Sequence, residues 1–417
     1  MVCHDLTQIK KMSQDKVTGA GMLLYQLHLL TRFSVGNFLV VIFADMLLTT
    51  AQLILVLLFF VTVVLLFYYL YFFARLAFFK NKPESISSGL PPLSTIICAK
   101  NEQYNLEKNI PVLLQQQYNA PSELLLVNDN SEDDTRNVMQ WMSRDHPGLR
   151  LINIDRKNKE SIGKKYPLSI GILEAKYDHL LLTDADCLPV SHHWAAKMAG
   201  AYQPGIDIVL GYGPYEKHPG FLNKVIRFET FHSALQYLSY ALAGHPYMGV
   251  GRNLSYKKDL FLQHKGFASI SHIPGGDDDL FISKAANRSN TAIMIDADAH
   301  TMSVPQKTWV AWKRQKTRHY STSKYYKLKH KFLLGLYSLS QFLFYPLLIA
   351  AAVVYSWPIA LTTLVIKSVV QYLVFSGAMK KLNEKDLVSW IFLMDLWMTV
   401  YYLIFAHTLW KKEKKTW

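Results

Sequence analysis

Two acidic runs set the chemistry to be explained. In LLLTDADCLPV (180–190) an apolar run ends in Asp184 and Asp186, one residue apart. In GGDDDL (275–280) Asp277, Asp278 and Asp279 are consecutive. Carboxylates this close repel one another. They need either a capping role, where the helix dipole favours an acid, or a positive charge between them. Four further polar runs accompany them: AKNE (99–102), VNDNSEDDT (127–135), GKK (163–165) and QKTRH (315–319). Singly, each has an ordinary structural use. Residues 128–135 suit an Asx-turn before a capped helix, GKK a loop glycine with solvated lysines, and 315–320 a helix on a membrane surface. Their joint occurrence in one order, each where a strand ends or a helix begins, points instead to a site.

The elements that must position these residues follow from an alternating pattern. LSTIICA (93–99), ELLLVN (123–128), RLINI (150–154) and YDHLLLTD (177–184) predict strands. Helices are predicted up to about Gln116, from about Asp133 to Ser143, and after Gly163. Such alternation argues for an α/β fold with a mostly parallel sheet and helices on both faces. Ligands bind such sheets beyond the carboxyl ends of the strands, which is where Asn101, Glu102, Asp129, Asp184 and Asp186 fall. No Gly-x-Gly-x-x-Gly follows the first strand, which disfavours a dinucleotide fold.

This polar stretch, about Lys80 to Lys331, lies between apolar blocks. Residues 37–74 carry one charge, Asp45; 332–366 carry none; 387–410 carry only Asp395. About 20 apolar residues cross a bilayer, so these read as membrane helices. The first block is long enough for one helix with overhang or a tight pair, and no cleavage pattern marks it as a removed signal peptide. Cys3, Cys98 and Cys187 are far apart, fit no metal spacing and imply a reducing compartment without a disulfide framework. The net charge of +14 is concentrated where nucleic acid is not the expected partner. Residues 312–331 hold eight Lys or Arg and no acid, and run straight into an apolar block. Basic charge there marks the cytoplasmic side and attracts anionic membrane lipid.

With these residues in place, the chain resembles the family-2 glycosyltransferases, the membrane-bound inverting type with a GT-A fold, over roughly Leu93 to Tyr320. AKNE resembles the opening nucleotide-binding motif of that family, VNDNSEDDT its Val-x-Asp-x-Ser-x-Asp-x-Thr pattern, and GKKYPLSIGI (163–172) its Gly-Lys segment. DAD (184–186) looks like the metal-binding Asp-x-Asp, GGDDDL the motif that holds the catalytic base, and QKTRH the Gln-x-x-Arg-Trp motif, with His319 where the family has Trp. The resemblance implies that Asn101, Glu102, Asp129 and Lys164 bind a nucleotide-sugar donor, with Asp129 on the nucleoside of what is expected to be a UDP-sugar. It implies that Asp184 and Asp186 hold Mg²⁺ or Mn²⁺, with Asp184 also facing the donor, and that Gln315 and Arg318 meet the diphosphate. The general base is Asp278 when counted from Gly276, or Asp277 when counted back from Asp279-Leu280; the count from Gly276 is preferred. The expected reaction moves a sugar to a hydroxyl of a lipid or growing glycan acceptor. A processive polysaccharide synthase of the hyaluronan, chitin or cellulose type is the alternative, weakened by His319, and a non-catalytic membrane scaffold is a third reading.

The resulting layout is an N-terminal segment 1–36 of unknown role, a transmembrane segment 37–79, a cytoplasmic glycosyltransferase domain 80–311, a basic interfacial helix 312–331, about three transmembrane helices over 332–410, and a basic tail 411–417. The expected location is the plasma membrane. With segments at 332–356, 358–379 and 387–410, the KKEKK tail (411–415) falls outside, against the positive-inside rule. Two charges lie inside these segments, Lys367 and Asp395. A lone charge there costs at least ~2.5 kcal/mol. Counted inward from the connecting loop, their depths differ by roughly 6 Å at ~1.5 Å per residue. A long lysine stem spans that offset, so the two are expected to pair.

Overall fold

The computed structural model describes residues 49–80, 89–155 and 163–406. Nine strands are described: β1 (Leu93–Ala99), β2 (Ser122–Asp129), β3 (Leu149–Ile154), β4 (His179–Asp184), β5 (Cys187–Pro189), β6 (Ile208–Leu210), β7 (Leu254–Lys257), β8 (Thr291–Ile293) and β9 (Thr301–Ser303). The main sheet has seven strands in the order β3-β2-β1-β4-β7-β6-β8, and β5 pairs with β9 separately. β1 to β4 are mutually parallel, and β7 runs antiparallel to β4 and β6. The four expected strands are all present.

Helices alternate with them: α1 (Thr49–Ala77), α2 (Gln103–Leu114), α3 (Thr135–Asp145), α4 (Lys165–Glu174), α5 (Trp194–Gly200), α6 (Phe221–Leu242), α7 (Lys258–Gln263), α8 (Asp279–Ala285), α9 (Trp309–Tyr320), α10 (Leu328–Val354), α11 (Trp357–Lys381) and α12 (Lys385–Ala406). Side chains alternate across a strand, and both faces here are covered. Ile97, Leu126 and Leu181 pack on one face with Leu106 and Ile110 of α2, Met139 of α3, and Trp194 and Met198 of α5. On the other face α4 lies so close that a Cβ at Gly171 would come within 2.9 Å of Ile96 and Val127. Burial on both faces explains the unbroken apolar runs of β2 and β4, and each buried Leu or Ile contributes ~1.5–3 kcal/mol.

Among the described residues four helices, α1, α10, α11 and α12, are long and apolar enough to cross a membrane. The first is one helix over its described length, with a π-helical stretch at Tyr68–Phe73; residues 1–48 and 407–417, including the basic tail, lie outside the described residues. The described residues divide into two compact units, residues 49–60 with 346–362 and the remaining described residues of 61–345 with 363–406. The site and the polar network described next belong to the second.

Lys367 and Asp395 are both buried and form an ion pair. The Asp395 carboxylate also accepts from Gln371 at 2.6 Å, Gln341 at 2.9 Å and Tyr345 at 2.5 Å. The expected pair is thus the centre of a larger network joining α10, α11 and α12. The basic stretch 312–331, expected as one helix, is broken: α9 ends at Tyr320, a 3₁₀ turn covers Ser323–Tyr325, and α10 begins at Leu328. The break follows from side-chain bonds. The Thr322 hydroxyl donates to Asp279 Oδ2 at 2.5 Å and the Tyr326 hydroxyl to the same oxygen at 2.8 Å, which holds this segment against α8.

Candidate active site

The site is assembled where β1, β2 and β4 end. The β1 and β2 loops interlock. Asn101 takes the left-handed conformation (φ 58°). Its amide donates to Ser131 Oγ at 3.0 Å, and its side-chain oxygen accepts from the Glu132 amide at 2.8 Å. The Glu102 amide donates to Thr135 Oγ1 at 2.8 Å and that of Gln103 to Asp133 at 3.3 Å. Asp129 is buried at the end of β2. So the acidic run 128–135 has two uses at once: Asp133 and Thr135 tie the loops together, while Asp129 closes the strand. Glu102 is half-buried, and burial first, then the charges of Asp186, Asp184 and Asp133, pushes its carboxyl up.

The end of β4 presents Asp184 and Asp186. Lys164 at the start of α4 pairs directly with Asp184. Burial disfavours the Asp184 anion, but Lys164 beside it, with Arg252 and Arg318 further out, holds its carboxyl below the usual range. Asp186 is pushed up, by burial first and then by Asp184. The positive charge expected between the acids is therefore in part supplied by the chain. Cys98, opposite Asp184 in the β1–β4 register, reports the convergence. Its thiol is pushed up to about 12, chiefly by burial, and lies in the field of Lys164, Asp277, Asp129 and Asp184.

The donors suit a hard divalent cation. One oxygen each of Asp184 and Asp186 and the Cys187 sulfur lie within 4.8 Å of one another. The Cys187 thiol is buried, pushed up by that burial, and hydrogen-bonded with Ser303 at 3.0 Å. A protonated buried thiol is a poor partner for Mg²⁺ or Mn²⁺, so the fitting ligands are the two carboxylates.

The three acids of 277–279 occupy three environments. Gly276 (φ +95°) makes the turn, and a Cβ there would strike Leu280 at 2.5 Å. Asp279 is withdrawn into its bonds with Thr322 and Tyr326. Asp278 accepts from the Gly251 amide on one oxygen and the Asp279 amide on the other, both at 2.7 Å. Burial, then the charges of Asp277 and Asp279, pushes its carboxyl up to about 8 against those two bonds. Asp277 lies toward Lys164, whose charge state it reinforces.

Some contributors went unnoticed in the sequence. Lys165, next to Lys164, is buried and donates to the carbonyls of Ile270 at 2.7 Å, Gly275 at 2.8 Å, and Ile273. It thereby braces the loop that delivers Asp277 and Asp278. Glu229 of α6 is buried, pairs with Lys316 of α9 and accepts from Tyr401 of α12 at 3.2 Å. That fixes the helix carrying Gln315 and Arg318. Gln315 donates to the Tyr215 hydroxyl at 3.3 Å. Arg252 lies beside β4 because β7 is antiparallel to it: Thr183 Oγ1 donates to the Arg252 carbonyl at 2.8 Å. Lys165 lies in the GKK run without its own role being legible there, and Glu229 and Arg252 fall outside the polar runs.

A mostly parallel sheet with paired acids beyond its central strand is the arrangement of GT-A transferases. The sequence model described as Glycosyltransferase like family 2 matches residues 91–322, more than half of the chain. The chain belongs to this family. It is 25% identical over 253 residues to the probable glycosyltransferase YdaM of Bacillus subtilis, covering 58% of this chain and 57% of that protein. It is 27% identical over 127 residues to the glycosyltransferase AglE of Haloferax volcanii, covering 30% and 40%. The match thus spans about half the length of these relatives. In fold, the chain is similar to the mannosyltransferase PcManGT of Pyrobaculum calidifontis, solved with GDP-Man and Mn²⁺, at a TM-score of 0.53 and 18% identity over 83% of this chain and 99% of that one.

Proposed function

We propose that the protein is a metal-dependent inverting glycosyltransferase that moves a sugar from a nucleotide sugar, UDP-linked in our reading, to a hydroxyl of a lipid or growing glycan at the membrane. The observation that carries this is the convergence of Asp184 and Asp186 with Lys164, under the charges of Arg252 and Arg318, beyond the central strand. Such a site suits a diphosphate. Asp184 and Asp186 would hold Mg²⁺ or Mn²⁺, which when bound supplies Lewis-acid stabilisation to the departing diphosphate. The bound GDP-Man and Mn²⁺ of PcManGT are in keeping with a nucleotide-sugar donor and a divalent cation, the nucleoside there being guanosine rather than uridine.

In this reading Asn101, Glu102 and Asp129 line the nucleoside end, while Lys164, Gln315 and Arg318 serve the diphosphate. Asp278 is the base. It takes the proton of the acceptor hydroxyl as that oxygen attacks the anomeric carbon opposite the leaving group, which inverts the centre. Its two backbone donors fix its orientation, and a carboxyl pushed up to about 8 is matched to proton transfer near neutral pH. Residues 80–311 form the catalytic domain, and the run from α9 into α10 brings it to the bilayer. The basic residues of 312–331 favour a cytoplasmic site at the plasma membrane. Full-length protein in lipid nanodiscs, given a panel of nucleotide sugars with Mn²⁺ and a membrane lipid extract, is expected to release nucleotide and label a product with one sugar only. Silence across the panel, with a folded protein, would reject the assignment.

A further inference from the structure

One cation of the site has been given no ligand above. Arg252 precedes β7, and its position is set from both sides: its carbonyl accepts from Thr183 Oγ1 at 2.8 Å and from Thr301 Oγ1 at 2.7 Å. Thr183 is the neighbour of Asp184, so the guanidinium is placed relative to the paired acids. It lies over the Tyr215 ring at 4.4 Å from the centroid. Gly213 leaves it room, since a Cβ there would come within 3.1 Å of the Arg252 Cβ. The hydroxyl of that same ring accepts from Gln315 of α9.

Two polar atoms in this group are buried without a hydrogen-bond partner, Arg252 Nη1 and Gln315 Oε1. Leaving such atoms orphaned is unfavourable, and both belong to residues that contact the Tyr215 ring or its hydroxyl. A guanidinium held over an aromatic face, with one nitrogen unused, suits an oxyanion. Lys164, not Arg252, closes on Asp184, so the guanidinium is left for something else.

We propose that Arg252, seated on Tyr215, contacts the phosphate from which the sugar departs and stabilises the charge that develops there. This rests on the transferase reading above. As the bond from the anomeric carbon to the phosphate oxygen breaks, the electron pair stays on that oxygen, while the acceptor's proton goes to Asp278. The leaving group therefore gains roughly one negative charge in the step, and a fixed cation aimed at it favours the transition state over the bound donor. Gln315, sharing Tyr215, holds the ring and so the guanidinium in register.

The test compares nucleoside diphosphates with monophosphates, because only the former carry the phosphate in question. Calorimetry of the full-length protein in nanodiscs with Mg²⁺ would use UDP and UMP, then GDP and GMP. Arg252→Gln is expected to weaken the diphosphate that wild type binds by about tenfold or more, with the matching monophosphate changed less than about threefold. Arg252→Lys keeps the charge but not the fork, and is expected to lower the diphosphate-to-monophosphate preference by about threefold. If Arg252→Gln melts far below wild type, the Lys variant decides. Equal losses for both ligands, or an unchanged preference, would overturn the assignment. Should wild type bind neither diphosphate, the reading of a UDP- or GDP-linked donor falls and this one with it; should it bind and the variants keep their preference, only the role of Arg252 falls.

Discussion

The buried network around Asp395 makes a prediction with a definite asymmetry. Its carboxylate accepts from Lys367, Gln371, Gln341 and Tyr345. Asp395→Leu strands an ammonium and leaves the neutral donors without that acceptor. An uncompensated buried charge costs ~3–5 kcal/mol, and hydrogen bonds between membrane helices average ~0.6 kcal/mol. The remaining donors therefore add ~1–2 kcal/mol. Lys367→Leu strands the carboxylate, which Gln371, Gln341 and Tyr345 still hold, and removes one further bond, from the Lys367 ammonium to Gln371 Oε1 at 2.8 Å. We expect Asp395→Leu to be the more damaging by ~1–2 kcal/mol, and the double Leu variant to recover the charge cost but not the hydrogen-bond cost. Thermal unfolding of the full-length protein in one detergent, with a double-variant cycle, measures this. Equal damage from the two single changes, or a double variant as unstable as their sum, would show that the network does not work as a charge pair with neutral supports.

Four further outcomes test the site. Asp278→Asn should lower transfer ~10²–10⁴-fold with donor binding nearly unchanged; if Asp277→Asn is the inactive variant instead, the register of the base is wrong by one. In wild type, kcat/KM should rise with pH and level off above about 8, because Asp278 must be deprotonated and is pushed up to about 8 by burial and its acidic neighbours. The linkage has the opposite sign for stability: the folded state binds the extra proton between the unfolded carboxyl range and about 8, so stability falls as pH rises through that window, and Asp278→Asn should remove that part of the slope. Asp186→Asn, or excess EDTA on wild type, should lower turnover by ~10²-fold or more without loss of fold, and undiminished turnover in EDTA would take the cation out of the mechanism. Lys165→Met removes the donor to three carbonyls and should lower kcat about tenfold with unchanged nucleotide affinity and faster amide exchange over 270–280; an unchanged kcat would leave Lys165 a purely structural residue.

What the sequence made legible follows from how much of each decision was local. β1 to β4 were readable because each is a contiguous apolar run ending in a polar residue, and parallel strands buried on both faces must look like that. The three-residue strands β5, β6, β8 and β9 carry too few residues for a period. α6 escaped notice because it is buried nearly all round, so no amphipathic stripe marks it. The break at Thr322 depends on an acceptor 43 residues away, and a residue pattern along 312–331 contains no trace of it.

The site shows the same division more sharply. Sequence alone could nominate GKK and DDD as clusters, but not assign the members, since adjacent residues share composition and differ only in direction. α4 begins at Lys165, and the turn before it sends Lys164 to Asp184 and Lys165 to the carbonyls of 270–275. Among the acids, one is consumed by Thr322 and Tyr326, one is oriented by two backbone amides, and one acts on Lys164 through its charge. A triplet that reads as redundancy is thus a division of labour: Asp279 anchors the loop that Asp278 needs in order to be aimed. Arg252 was hidden for a further reason. Its nearness to Asp184 arises from an antiparallel register between β4 and β7 that pairs Leu182 with Leu254, and that pairing is decided by the packing of the whole sheet. Placing a cation beside the paired acids therefore took a strand running against the other six of its sheet, and this is the part of the site that motif spacing could not contain.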